Sequence, residues 1–156
     1  MPGWLVTGFV SLAAGALSLR GWYRWQQGRQ VKRVLRALGE GDVQEVALLL
    51  AEGVDPAFIH ERLGEPALVV AIRAGCGVEL LLARGADPDE RGPGWMTPLM
   101  HAAASGDEQH CRMLLEGGAD ADARDLFGRP AAWWAEQSGA TGVVRLLREG
   151  VRRALS

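Results

Sequence analysis

Apolar and polar positions alternate along most of this chain in an order that repeats. Val46/Leu49/Leu50, Val78/Leu81/Leu82, Cys111/Leu114/Leu115 and Val143/Val144/Leu146/Leu147 each place apolar side chains three and four residues apart. That spacing is the stripe of a helix with one buried face. Ahead of each stripe lies an alanine-rich run, at 34–38, 67–74, 98–105 and 131–138. Small side chains there predict a second helix whose neighbours approach closely. One glycine separates the two helices of each unit: Gly41, Gly75, Gly106 and Gly139. Glycine, proline and aspartate crowd the stretches 53–65, 85–97 and 118–129, which predicts turns between units. The pattern is helix–turn–helix–long turn, four times over.

The spacing is as regular as the pattern. Three leucine runs close on Gly53-Val54-Asp55, Gly85-Ala86-Asp87 and Gly118-Ala119-Asp120, with glycines 32 and 33 residues apart and Gly150 a further 32 on. A period near 33 predicts a stack of like units, each burying its apolar face against the next. Such a stack offers a long surface to another macromolecule, so the chain is expected to work by contact and not by chemistry. One unit is compressed. Gly75 to Gly85 spans 10 residues where Gly41 to Gly53 and Gly106 to Gly118 span 12, which shortens the connection around Cys76-Gly77.

These residues resemble the ankyrin-repeat family. Thr97-Pro98-Leu99-Met100-His101-Ala102-Ala103-Ala104-Ser105-Gly106 is similar to the family's Thr-Pro-Leu-His-x-Ala-Ala-x-x-Gly, and Gly85-Ala86-Asp87 and Gly118-Ala119-Asp120 match its Gly-Ala-Asp. The resemblance implies an all-α solenoid over residues 31–156: about four helix-turn-helix units, with β-hairpin-like fingers and a concave surface that binds proteins. Met100 stands in the family's histidine position, so His101 falls one place along and is expected to be an ordinary half-buried histidine. Gly64-Glu65-Pro66-Ala67 and Gly128-Arg129-Pro130-Ala131 put proline where the family has threonine. A proline in the first helical turn loses no N–H that the helix needs.

The first thirty residues follow another pattern. No charged side chain occurs from Gly3 to Leu19, Trp4 stands at one end, and Trp22, Tyr23 and Trp25 stand at the other. Trp22 stands 18 positions after Trp4, which makes a helix roughly 27 Å long at about 1.5 Å per residue. A bilayer core is about 30 Å thick, and indole rings favour its edges. Residues 1–20 therefore predict a single transmembrane helix, and residues 21–30 a basic, aromatic juxtamembrane segment. Trp4, Arg20, Trp22, Tyr23, Arg24 and Trp25 are the expected membrane-interface residues, in contact with lipid. Positive charge lies only on the C-terminal flank, which predicts the inner (plasma) membrane, a short N-terminus outside and the repeats in the cytoplasm. A cleaved export signal and a soluble helix capping the first repeat are the competing readings. The export signal lacks a basic beginning.

Charge narrows the partners. The net charge of −2 divides into +6 over residues 1–36, which hold no acid, and −8 over residues 37–156, with 11 basic and 19 acidic groups. An acidic body argues against nucleic acid. Lys32 is the one lysine among 17 basic residues, a bias that fits a GC-rich, bacterial genome. Cys76 and Cys111 form no Cys-x-x-Cys pair, and buried free thiols are expected. His110-Cys111 is no dyad, because adjacent helical residues point about 100° apart. Asp87, Asp89, Glu90, Asp120, Asp122 and Asp125 lack a calcium-loop pattern, and the repeated aspartate is expected to satisfy backbone N–H groups in the finger turns. No phosphate loop or nucleophile elbow is present. The sequence thus predicts no catalytic residue, no cofactor and no metal.

Apolar residues in the fingers stand out instead. Phe58 and Ile59, Pro93 and Trp95, and Leu126 and Phe127 occupy turns that should be wet. Packing within each finger is one account of them, and a strip that contacts a partner is the other. The expected partner-binding residues are Phe58, Arg91, Trp95, Leu126 and Phe127, with Phe58, Trp95 and Phe127 at corresponding positions. Trp133-Trp134 is expected to fill the core and seal the end of the stack. The sequence as a whole predicts a membrane-tethered interaction module or accessory subunit that binds a protein, such as an integral membrane complex. The alternative is a soluble or exported inhibitor of immunity type that binds a toxin or enzyme.

Overall fold

A computed structural model describes residues 29–54 and 64–154, with side chains to residue 149. The anchor expected at 1–20, most of the segment 21–30, and Phe58 and Ile59 lie outside the described residues. Among the described residues, no helix is long and apolar enough to cross a membrane.

Helices come in pairs, as the periodicity predicts. Helix α1 covers residues 29–40 and α2 covers Val43–Ala51. They are followed by α3 (Ala67–Ala74) and α4 (Val78–Ala83), then by α5 (Pro98–Ala104) and α6 (Glu108–Glu116). Helices α7 (Ala131–Gln137) and α8 (Thr141–Ala154) complete the fourth pair. The alanine-rich helices pack on one another (α3 on α5, α5 on α7), and the leucine-striped ones do the same (α2 on α4, α4 on α6, α6 on α8). Leu49, Leu81, Leu114 and Leu147 occupy the same place in successive units, and all are buried. Burying one leucine contributes about 1.5–3 kcal/mol, so this single repeated column accounts for much of the stack's cohesion.

One device closes the first helix of every pair. Gly106 adopts φ +69°; its N–H donates to Ala103 O and the next N–H, of Asp107, donates to Ala102 O. Gly41, Gly75 and Gly139 repeat this arrangement in their own units. It is the left-handed cap that satisfies a helix's last carbonyls, and glycine adopts it without steric cost. Gly150 breaks the expected series, because α8 runs straight through it to Ala154.

The compressed second unit has a local cause. Asp42 and Asp107 cap α2 and α6 by accepting from Glu45 N and His110 N. Gly77 takes that place at the start of α4, with φ +83°, and a Cβ built on it would lie 2.9 Å from Leu38 Cδ2. A side chain at Gly77 would press on buried Leu38 of unit one from a strained left-handed backbone, and α4 starts without a side-chain cap. The prolines differ from expectation by one position. Pro66 and Pro130 are N-caps without a side-chain bond, where Thr97 accepts from Met100 N. A missing cap costs typically about 1 kcal/mol.

Candidate partner-binding edge

The fingers contain no strand among the described residues. They are hairpin-like only in how they close. Gly92 N donates to Met96 O at 3.0 Å in one, and Asp125 N donates to Arg129 O at 3.0 Å in the next. At their bases, Asp87 accepts from Asp89 N and Asp120 from Asp122 N, each at 2.9 Å. The repeated aspartates therefore serve the turns, as their sequence positions predict.

The two tips are built differently. In the later finger Asp125 is buried; it accepts from Phe127 N and Arg129 N at 2.9 Å and from Arg129 Nε at 2.8 Å. Burial works against its charge. The Arg129 N–H and guanidinium and the Phe127 N–H more than offset that, holding the carboxyl below its ordinary range. The earlier finger has Gly92 in the equivalent place. A Cβ there would meet Pro66 Cδ at 2.9 Å, so no aspartate fits. Gly94 and Trp95 then both turn left-handed, at φ +70° and +60°. Trp95 is the one non-glycine residue with positive φ among the described residues. Its structural counterpart is Gly128 (φ +77°), 33 residues on, and not Phe127. The expected alignment of Trp95 with Phe127 is thus off by one. A bulky residue held left-handed costs about 1–3 kcal/mol, and such strain gathers at functional positions.

Three hydrogen bonds join the earlier finger to its neighbour, two towards the tip and one at the base. Leu126 N donates to Gly94 O at 3.0 Å, Arg91 Nη1 to Arg124 O at 2.8 Å, and Asp120 N to Asp89 Oδ1 at 2.9 Å. The result is one hydrogen-bonded platform. From it Trp95, Leu126 and Phe127 project at 57, 58 and 74% exposure, so most of their apolar surface stays in contact with solvent. Arg91 belongs to the platform as a brace; its guanidinium lies 5.5 Å from the Trp95 ring centre. Of the five expected contact residues, four therefore converge here, and Phe58 lies outside the described residues.

Sequence reasoning missed the joint behind the platform. The Arg129 guanidinium lies 4.7 Å from the Phe127 ring centre and 4.5 Å from each of the Trp133 and Trp134 ring centres. The two indoles meet edge to face at 5.1 Å. Trp133-Trp134 is therefore more than an end seal, because it ties the finger to α7. The available signal was Asp125 four residues before Arg129, followed by the aromatic pair. Burial, with the Asp107 and Glu108 charges adding to it, pushes the Cys111 thiol up to about 12. His110 Nδ1 lies 2.6 Å from Asp107 Oδ2, a contact that belongs to the start of α6. Burial lowers the His101 pKa, and Arg73 adds to the effect while Glu65 opposes it.

Paired helices, left-handed glycine caps and projecting fingers define a repeat solenoid, and comparison with known proteins specifies which one. The family model of ankyrin repeats in three copies matches residues 76–153, and the chain belongs to that family. It is similar to the cyclin-dependent kinase 4 inhibitor B of Bos taurus, 35% identical over 113 residues, covering 72% of this chain and 86% of the relative. The Homo sapiens protein of that name is 36% identical over 114 residues, with 72% and 82% covered. The cyclin-dependent kinase inhibitor 2A of Homo sapiens is 34% identical over 113 residues, with 72% of each covered. As an ankyrin-repeat protein related to these inhibitors, the chain is a protein-binding module and not an enzyme.

Proposed function

We propose that this chain holds an enzyme partner, a protein kinase first among the candidates, across the tips of its fingers, and that it does so while tethered to a membrane. The observation that carries the binding edge is the exposure of Trp95, Leu126 and Phe127 on a hydrogen-bonded platform. Solvent offers no reason for three large apolar groups there, and aromatic anchors dominate protein interfaces. The names of the relatives support a kinase, since those proteins inhibit cyclin-dependent kinases. The charge-free stretch Gly3 to Leu19 with its tryptophan borders supports the tether, and the one-sided positive charge supports cytoplasmic repeats.

Capture tests the proposal. Full-length chain, extracted from membranes in mild detergent, should retain a kinase whose activity falls as more chain is added. Recovery of an integral membrane complex without a kinase would instead favour an accessory subunit. Full-length chain found in the soluble fraction without detergent, still inhibiting an enzyme, would favour the untethered inhibitor.

A further inference from the structure

The charges around the platform say more about what lies on it. Arg129 is neutralised by buried Asp125. Arg91 and Arg124 are not neutralised in that way. Arg91 donates to Arg124 O, and Arg124 Nη1 donates to Gly128 O at 2.8 Å. Both are exposed, and neither is held by a carboxylate among the described residues. Asp89 feels the charge of Arg91, and one of its oxygens is taken up by Asp120 N. Two exposed arginines, one on each of two hydrogen-bonded fingers, thus stand near the apolar tips of a body that is otherwise strongly acidic. Each bond to a backbone carbonyl leaves further N–H donors free, and a guanidinium matches a carboxylate in shape as well as charge.

Resting on the binding reading above, we propose that the platform recognises a short protein segment carrying a carboxylate flanked by aliphatic or aromatic side chains. Arg91 and Arg124 take the carboxylate, while Trp95, Leu126 and Phe127 take the apolar flanks. Among the described residues the positive patch consists of these two arginines, and Asp87, Asp89, Asp120 and Asp122 stand at the bases of the same two fingers. A broadly acidic partner would be repelled there, and a single carboxylate fits. The same aspartates disfavour an anionic bilayer, which would meet them across a wide plane.

The test selects a random dodecapeptide display library on the full chain in mild detergent. Selected peptides should share an Asp or Glu between apolar residues. Replacing that residue by its amide, a change that leaves the chain's fold untouched, should weaken binding about tenfold. Arg124→Ala should give a similar loss in a chain that still melts as the parent does. Vesicles of mixed phosphatidylcholine and phosphatidylserine should not bind residues 29–156 expressed without the anchor, provided that fragment shows the parental melting transition. Peptides with no acidic preference, an amide swap without effect, a library that yields no binder, or vesicle binding abolished by Arg124→Ala would each overturn the proposal. If a protein partner is still captured through Trp95 while the peptides lack an acid, the binding reading stands and only the carboxylate falls.

Discussion

Trp95 occupies backbone geometry that its counterpart Gly128 adopts freely, and this makes it a residue at which fold and function separate. Trp95→Gly should leave stability unchanged or raise it by up to about 1 kcal/mol by relieving left-handed strain, while capture of the partner is lost. A marked fall in melting temperature would show instead that the ring holds the finger together. Asp125 gives a pH dependence of known sign. Its folded pKa lies below the ordinary value, so folding favours the ionised form. The stability it adds is complete above the unfolded carboxylate value of about 3.9 and is lost as pH falls through the lower folded value. Asp125→Asn should therefore flatten the acid limb of a plot of melting temperature against pH below about pH 4. An unchanged limb would mean that the carboxylate is not held as described.

At the scale of elements, the helices were legible because their signals are local. Leucine at i, i+3 and i+4, and a glycine after each alanine-rich run, need no knowledge of the neighbouring unit. Leu114 and Glu116 test the resulting alignment. Leu114 is buried and Glu116 exposed, so Leu114→Ala should cost about 2–5 kcal/mol and Glu116→Ala roughly 0.5 kcal/mol or less. Equal costs in chemical denaturation would contradict the packing. Caps were legible in part. Proline at the threonine place was expected inside the first turn, and it stands instead at the N-cap, without a side chain to bond α7. Pro130→Thr should restore that bond to Trp133 N and add about 0.5–2 kcal/mol. No gain in melting temperature would mean that the proline's restriction of the unfolded chain offsets the missing cap. The tip of the earlier finger was not legible. Its form depends on Pro66 leaving no room beside Gly92, on the Gly94 carbonyl meeting Leu126 N, and on Arg91 meeting Arg124 O. Those contacts join residues about 30 positions apart, and no period announces them.

For the whole molecule, the repeat period set the architecture and charge asymmetry set the expected orientation, but neither locates the binding edge. The proposed edge rests on apolar residues in turns that should be wet, which the sequence already singles out, and on the exposure of Trp95, Leu126 and Phe127 in the fold. The anchor remains a proposal from residues 1–20. It predicts that the full chain resists carbonate extraction while a chain beginning near Arg29 is soluble, and soluble full-length chain would oppose it. The central claim is that the finger tips, and not the helices behind them, hold the partner. The most direct measurement compares partner capture by the full chain with capture by the double variant Trp95→Ser, Phe127→Ser, with the melting temperature of each recorded alongside. The account predicts that the variant melts within a few degrees of the parent and captures no partner. A folded variant that captures as much partner as the parent would contradict it.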